Sequence, residues 1–544
     1  MLKCCCVHKR LLLILAAYLY CAVLDPFFFD YPALVLPLRQ LYGVMLAAGI
    51  LYLFVRLQWL GVILYVFSGL VFGLLHYAYV FFGYTAGFEL ISAIFETNVH
   101  EVGGFVTLSS ILALVGGVIL LAVVFALAVC GLGWRKFRIR EICRVGGIVV
   151  LWAVIYSIPA LTIGKRYGLY QKLSDNTLRN THELFVNGHY GIAVQRWQSP
   201  YSNLTAIYHG LGAYFRDIVM DDATRYHSVD CRNGEDLVFI MVFGESIRAD
   251  HVPAGGYARD TMPEIGAEPG AVFYTRMYSY AASTYDSIAA MLSGMVRPGD
   301  IPGLTSFAGI LKKHGFEGRL YSENTENITD SKLFHVLLGQ YMSSCNKCRA
   351  PIMSVCKTIV DDIQNCGAER QLIVVENGTG HFPYVNEDEY DTFKPCNLNW
   401  MASLPDNKKE ILINDYDNCI VSVDKFLAGI IDGVRNRNAV MLYVSDHGQL
   451  LFEGGKLMHG DPHNVLLRQP AAFVWFSDEY RRRHPELVAE MEAVRDKPLV
   501  HGQVYATVLK LCGVESSVPL RIGDFVTDDV RKHPNNVPVE LLRK

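Results

Sequence analysis

No run of lysine and arginine long enough to suggest a nucleic-acid tract occurs in this 544-residue chain, whose formal net charge is only -4, so no nucleic acid is expected as a partner. Internal repeats and low-complexity tracts are missing too, and no repeat architecture is expected. Charge is scarce: Asp, Glu, Lys and Arg make up 19% against 51% hydrophobic residues, and mean hydropathy is +0.23. That balance does not suit a wholly soluble protein. Disorder is excluded as well, because 28 Phe and 30 Tyr with the aliphatic residues bury far more surface than a disordered chain can. The length predicts at least two domains.

The apolar excess is confined to the first part of the chain. Stretches over residues 11–24, 41–55, 60–82, 108–130 and 145–163 predict five transmembrane helices, the first two needing their flanks to cross about 30 Å of hydrocarbon. Lys3, Lys9, Arg10, Arg56, Arg135, Lys136, Arg138, Arg140 and Arg144 flank the spans on one side, which is then cytoplasmic. Residues 83–106 carry no Lys or Arg but contain Glu89, Glu96 and Glu101, and belong outside. Five spans place everything after residue 163 on the outer side. A basic start before an apolar run also suits a cleaved signal peptide, but no A-x-A site follows, and the run reads as a retained helix. The expected division is a transmembrane domain over 1–163, an aromatic-rich interfacial linker over 164–235 and an outer domain over 236–544.

Eight of the 14 cysteines fall in the outer part, with Cys345, Cys348, Cys356, Cys366 and Cys396 crowded together. In an oxidising compartment that crowding predicts disulfides, whereas Cys419 and Cys512 read as core packing. Cys345-Asn-Lys-Cys348 lacks the second CxxC or nearby His that would complete a zinc or redox site.

The outer domain alternates apolar runs with helical segments. Runs over 237–243, 372–375 and 439–444 end at Gly244-Glu245-Ser246, at Glu376-Asn377-Gly378-Thr379-Gly380-His381 and at Ser445-Asp446-His447-Gly448. Buried strands with polar residues at their carboxyl ends predict an α/β domain with a largely parallel sheet and a ligand site beyond those ends. Glu245 and Asp446 offer hard oxygens and His447 a nitrogen, a mixture suited to Zn²⁺ or Mn²⁺. His459 follows His447 by twelve residues in a Gly-rich segment. For a nucleophile, the hydroxyls of Ser283, Thr284 and Ser287 lie at the start of a helical segment, where a metal can deprotonate one and the helix N-terminus favours phosphate. Composition and spacing alone favour simple N-capping by Ser283 or Thr284.

Several segments together resemble the inner-membrane phosphoethanolamine transferases of Gram-negative bacteria, in the alkaline phosphatase/sulfatase superfamily. These are the stretches from Phe243 to Asp250 and from Gly256 to Pro263, the Ser283-Thr284 region, and the stretches from Asn377 to Tyr384 and from Asn414 to Asn418. Ser445-Asp446-His447-Gly448 through Glu453-Gly454 to His459-Gly460 completes the set. The resemblance implies a five-helix transmembrane bundle followed by a periplasmic α/β domain of alkaline phosphatase/sulfatase type. It implies that Glu245, Thr284, Asp446 and His447 hold a catalytic zinc, that Thr284 becomes phosphorylated, and that His381 and His459 bind the donor phosphate or a second metal. Thr97 and Glu101 match positions associated with the ethanolamine headgroup. The implied reaction moves phosphoethanolamine from phosphatidylethanolamine to a lipopolysaccharide, at lipid A or core heptose, or to another glycan or protein acceptor, releasing diacylglycerol, with a monomer expected.

Departures from the family pattern touch donor and acceptor more than the metal core: Ala93 where many relatives carry Asn, Gln449 where they usually carry Glu, no Cys beside Thr284, and no Lys at the position expected near residue 329, where Thr329 and Lys332 are nearest. Alternative readings are a phosphoglycerol transferase, a metal-dependent phosphohydrolase of the same superfamily, or a non-catalytic receptor. A sulfatase proper needs a C/S-x-P-x-R motif, which Thr284-Tyr285-Asp286 does not provide.

Overall fold

The computed structural model describes residues 2–24, 36–77, 108–134 and 143–148 of the N-terminal part, and 228–294, 305–322, 332–397, 408–516 and 524–528 of the C-terminal part apart from short intervals. The chain divides into two compact units, a helical N-terminal one and a C-terminal one from residue 217 onward.

In the first unit the described helices are α1 (Leu2–Leu24), α2 (Leu36–Arg56), α3 (Trp59–Tyr77) and α4 (Leu108–Leu132). They contain the first, second and fourth expected spans and most of the third; the fifth lies almost wholly outside the described residues, as does the aromatic linker. Among the described residues one stretch, Val115–Leu132, is long and apolar enough to cross a membrane, with shorter apolar stretches at Leu11–Ala22, Gly43–Arg56 and Trp59–Val71. Ala16, Ala17, Ala47 and Ala128 pack inside with Tyr20, Leu51 and Tyr65, small residues letting helices approach. Large apolar side chains such as Ile63, Phe67 and Ile119 face outward.

The second unit is built on a seven-stranded sheet. Its strands in chain order are β1 (Leu237–Gly244), β2 (Ala271–Phe273), β3 (Glu317–Ser322), β4 (Ser344–Lys347), β5 (Arg370–Asn377), β6 (Ala439–Ser445) and β7 (Ala472–Phe476), arranged in space as β2-β7-β6-β1-β5-β3-β4. β6, β1, β5, β3 and β4 run parallel, and β7 runs antiparallel to both its neighbours. Every residue of β1, β5 and β6 is buried, as a parallel sheet covered on both faces requires, which is why these strands read as continuous apolar runs. Helices α5 (Thr284–Ser293), α6 (Phe307–Lys313), α7 (Ile352–Asn365), α8 (Lys409–Val434) and α9 (Gly502–Leu511) accompany the sheet.

Register positions the site. Gly244 pairs with Asn377 on one side and Ser445 on the other, so β5, β1 and β6 end level and the chain leaves all three at one edge.

The cysteines correct one expectation. Cys345, Cys356, Cys366 and Cys396 are thiols, so the predicted disulfides among residues 345–396 are not formed. Each sits on a different element: Cys345 is exposed on the β4 strand, Cys356 is buried in α7 against Gly429 of α8, Cys366 caps α7 and Cys396 lies in a loop. Cys419 and Cys512 are fully buried in the core, as the sequence suggested.

Candidate metal and phosphoryl-transfer site

Two carboxylates and an imidazole meet beyond the level strand ends. Glu245 follows β1, Asp446 and His447 follow β6, and ligand atoms of the three lie within 4.8 Å of one another, all buried. The Asp446 N–H donates to the Gly244 carbonyl at 2.9 Å, tying the two strand ends together. Ser246 then turns with φ 59°, a left-handed conformation that costs a non-glycine residue energy. The turn aims the Ser246 N–H at Asp446 Oδ1 (2.8 Å), while its hydroxyl donates to Glu245 Oε1 (2.7 Å). Tyr416 of α8 holds the turn from outside, donating to the Ser246 carbonyl at 2.7 Å and accepting from the Arg248 N–H at 2.9 Å. Two glycines let backbone pass close by: a Cβ on Gly380 or on Gly448 would come within 2.0 Å of the carbonyl oxygen of Glu245 or of Leu466.

The orientation of His447 decides what the cluster can hold. Its Nδ1 lies 2.9 Å from the Gly448 carbonyl, which only accepts, so Nδ1 carries the proton and Nε2 keeps a lone pair. That nitrogen lies 3.2 Å from Asp446 Oδ2 and 3.8 Å from Glu245 Oε1, and Oδ2 makes no hydrogen bond although fully buried. Nε2 and Oδ2 turn lone pairs toward one another across that 3.2 Å, and a proton or a cation between them relieves the repulsion. Burial, and next the Asp446 carboxylate, push the Glu245 carboxyl well above its usual range, the mark of negative charge crowded without a counter-ion. The donor set, two carboxylates and one imidazole, fits zinc.

Thr284 is the first residue of α5, and its Oγ1 lies 3.3 Å from Glu245 Oε2 and 3.3 Å from His447 Nε2. The cap residue before it, Ser283, directs its hydroxyl to Asp286 Oδ2 at 3.3 Å and caps no backbone N–H. The hydroxyl at 284 therefore faces the metal-ligand cluster, and the simple capping reading does not hold for it. The ten-residue helix begins at this spot, favouring an anion there.

The two remaining histidines differ in their surroundings. His459 lies tilted against His447 with ring centroids 4.2 Å apart, and its Nδ1 lies 3.0 Å from Gln449 Oε1. Burial, then His447 and His381, hold the His459 imidazole well below its ordinary range, so it is neutral. The Nδ1 of His381 lies 2.6 Å from the Phe382 carbonyl. Thr97 and Glu101 lie outside the described residues. Sequence reasoning missed the supporting roles of Ser246, Tyr416 and Arg248; the signal available for Tyr416 was a polar run, Asn414 to Asn418, inside an otherwise apolar helix.

A mostly parallel sheet whose strand ends gather two carboxylates, an imidazole and a helix-borne hydroxyl defines an α/β protein with a candidate metal site at the carboxyl edge of its sheet. A family model described as Sulfatase matches residues 238–514, a little over half of the chain, and the chain belongs to that family. The Kdo(2)-lipid A phosphoethanolamine 7''-transferase of Salmonella typhimurium is 26% identical over 322 residues, 55% of this chain and 55% of that protein. Phosphatidylethanolamine transferase Mcr-1 of Escherichia coli is 27% identical over 319 residues, 54% of this chain and 56% of its own length. The chain thus spans just over half the length of the curated relatives it matches. Among solved structures, the integral membrane protein lipooligosaccharide phosphoethanolamine transferase A from Neisseria meningitidis superposes with a TM-score of 0.67 over 93% of this chain and 95% of that one. At 18% identity this likeness shows the fold.

Proposed function

We propose that this protein transfers phosphoethanolamine from phosphatidylethanolamine to a lipopolysaccharide, at lipid A or core heptose, or to another periplasmic acceptor, through a phosphorylated Thr284. The observation that carries the reading is the position of Thr284 Oγ1, 3.3 Å from both Glu245 Oε2 and His447 Nε2 at the start of a helix. The relatives, a Kdo(2)-lipid A phosphoethanolamine 7''-transferase and a phosphatidylethanolamine transferase, support the chemistry of donor and acceptor.

Glu245, Asp446, His447 and Thr284 would hold the zinc, which when bound supplies Lewis acidity for Thr284 deprotonation and for charge on the phosphoryl oxygens. In the first half-reaction Thr284 Oγ1 forms a bond to the donor phosphorus while the bond to the diacylglycerol oxygen breaks. The proton given up by Oγ1 ends on the diacylglycerol hydroxyl, so atoms and charge balance. In the second, the acceptor oxygen takes the phosphorus from Oγ1 along the side the leaving group vacated. The α5 N-terminus favours the phosphate throughout.

A donor that resides in the bilayer gives a water-facing catalytic domain reason to keep membrane helices. The proposed arrangement is five inner-membrane spans over 1–163, an interfacial linker over 164–235 and a periplasmic domain over 236–544, and Thr97 and Glu101 are proposed to bind the headgroup. Reporter fusions after residues 90, 138 and 300 should read outside, inside and outside; an inside signal at 300 removes the periplasmic enzyme.

The chemistry is tested with full-length protein and phosphatidylethanolamine vesicles without acceptor. About one equivalent of diacylglycerol and a phosphoethanolamine adduct on Thr284 are expected. Thr284→Ala should abolish both, and Thr284→Ser should retain some activity. Full transfer by Thr284→Ala, or an adduct on Ser283 or Ser287, overturns the mechanism. Loading from phosphatidylglycerol in place of phosphatidylethanolamine transfers the assignment to the phosphoglycerol reading.

A further inference from the structure

None of α1, α2, α3 and α4 contains Asp or Glu, so Arg56, the basic residue that ends α2, has no carboxylate partner on any of them. Its guanidinium lies 4.9 Å over the Tyr52 ring, and it donates from Nη1 to the Gly133 carbonyl at 3.1 Å and from Nη2 to the Leu132 carbonyl at 3.4 Å. Those carbonyls belong to the end of α4, where Gly133 turns with φ 72° and donates its N–H to the Val129 carbonyl. A cation suits a helix C-terminus, but carbonyls and a ring leave its charge without a counter-ion.

Two tryptophans stand at the same end. Trp59 opens α3 and Trp134 lies just past α4, and their rings meet edge to face with centroids 6.1 Å apart. Both are exposed, Trp59 by 76% and Trp134 by 43%. Trp59 heads a stripe of exposed apolar side chains along α3, Ile63, Phe67 and Leu70, at the spacing of one helix face. On α4 the stretch long and apolar enough to cross a membrane, Val115–Leu132, stops just before Trp134. An indole has an apolar body and a single N–H donor, which suits the level where hydrocarbon gives way to headgroups. In the sequence Arg135, Lys136, Arg138 and Arg140 follow Trp134, repeating the sign of charge at this end.

We infer that Trp59, Trp134 and Arg56 form a seat for a phospholipid headgroup, with anionic phospholipid preferred. The indoles lie beside the glycerol region and Arg56 offers its charge to the lipid phosphate. A zwitterionic headgroup carries its own cation next to that phosphate, whereas an anionic one does not and gains more from Arg56. The seated lipid is not consumed, so the seat is separate from the donor's reaction. Its assignment to the cytoplasmic leaflet rests on the proposed topology; the seat itself rests on these three residues.

The test uses full-length protein in phosphatidylcholine vesicles containing brominated lipid, which quenches tryptophan fluorescence on contact. The signal of the pair is the difference between the parent and the double variant Trp59→Phe, Trp134→Phe. Lipid brominated near the glycerol end of its chains should quench that signal more than lipid brominated near the chain ends. At low salt, brominated phosphatidylglycerol should be favoured over brominated phosphatidylcholine by about fivefold, the effect of one positive charge near the surface. Arg56→Gln should make the two lipids equal, and Arg56→Lys, which keeps the charge, should hold the preference.

No quenching by either lipid overturns the inference, because protein, the following segment or a second copy, then covers the pair. Stronger quenching from the chain ends overturns it as well, since the pair would lie in hydrocarbon. Equal quenching by the two lipids in the parent overturns the anionic preference without need of a variant, and an unchanged preference in Arg56→Gln overturns the role of Arg56. An outside signal from the reporter after residue 138 instead overturns the topology and leaves the quenching as it was, so the two failures are distinct.

Discussion

In the helical unit, buried hydroxyls find partners: Tyr20 and Ser68 share a hydrogen bond of 2.9 Å, Ser68 donates to the Tyr65 carbonyl at 2.8 Å, and Tyr65 donates to the Leu121 carbonyl at 2.7 Å. In the α/β unit, buried Glu245, Asp446 and His447 turn acceptors toward one another, and Asp446 Oδ2 has no hydrogen bond. A buried polar group left without a proton or a donor is costly, so a protein retains such a cluster where a ligand completes it. The contrast teaches how to tell polar groups that hold helices together from polar groups that wait for a cation. Each prediction below presses on one side of it.

Removing a ligand should have the largest effect. Asp446→Ala or His447→Ala should lose bound zinc and reduce transfer by about a thousandfold, about 4 kcal/mol of barrier. Metal analysis of the purified variants beside the parent checks this. Unchanged zinc content in both would make the cluster a structural network like that of the helices, and the contrast would fail.

Next comes the support of the strained turn. Tyr416→Phe leaves the buried Ser246 carbonyl and Arg248 N–H without the hydroxyl that bridges them, which should cost about 2 kcal/mol of stability. Thermal unfolding of the full chain reads this, and zinc binding should weaken in parallel because Ser246 aims its N–H at Asp446. Unweakened zinc binding would show that the turn keeps its shape without Tyr416.

His501 gives a smaller, pH-dependent effect. It is fully buried and hydrogen-bonds the Ser445 carbonyl at the base of the site, and burial pushes its imidazole down to about 3. Because the folded value lies below the unfolded one of about 6.5, its contribution to stability is present above pH 6.5 and is lost as pH falls. The slope is at most about 1.4 kcal/mol per pH unit. His501→Gln should flatten the difference between unfolding temperatures near pH 7 and near pH 5; an unchanged difference would assign the acid sensitivity to other groups.

Much of this was legible in the sequence for physical reasons. A parallel strand covered on both faces must be apolar throughout, so β1 and β6 announced themselves, and the polar residues following them marked the ligand edge. That the Thr284 hydroxyl faces the cluster was not legible without the resemblance, because a hydroxyl at a helix start reads equally well as a cap. Its selection over Ser283 depends on which way one turn faces across 39 residues of chain. Disulfides were misread because crowding in sequence did not become crowding in space. Ser246 and Tyr416 escaped because a left-handed serine, and the tyrosine that holds it from 170 residues away, leave no local pattern.

The smallest effect belongs to the helices. Tyr65→Phe removes a donor to the Leu121 carbonyl and keeps the ring, which stacks near Phe125 at 4.7 Å and Tyr20 at 5.5 Å. A carbonyl inside a helix already accepts a backbone hydrogen bond, so losing a second donor does not orphan it, and helices in a bilayer find other partners when unpacked. The expected cost is about 0.6 kcal/mol, measured by unfolding of the full chain in mixed micelles, with transfer activity unchanged. A loss well above this, or a fall in activity, would mean that the Tyr20–Ser68–Tyr65 network does more than join α1, α3 and α4.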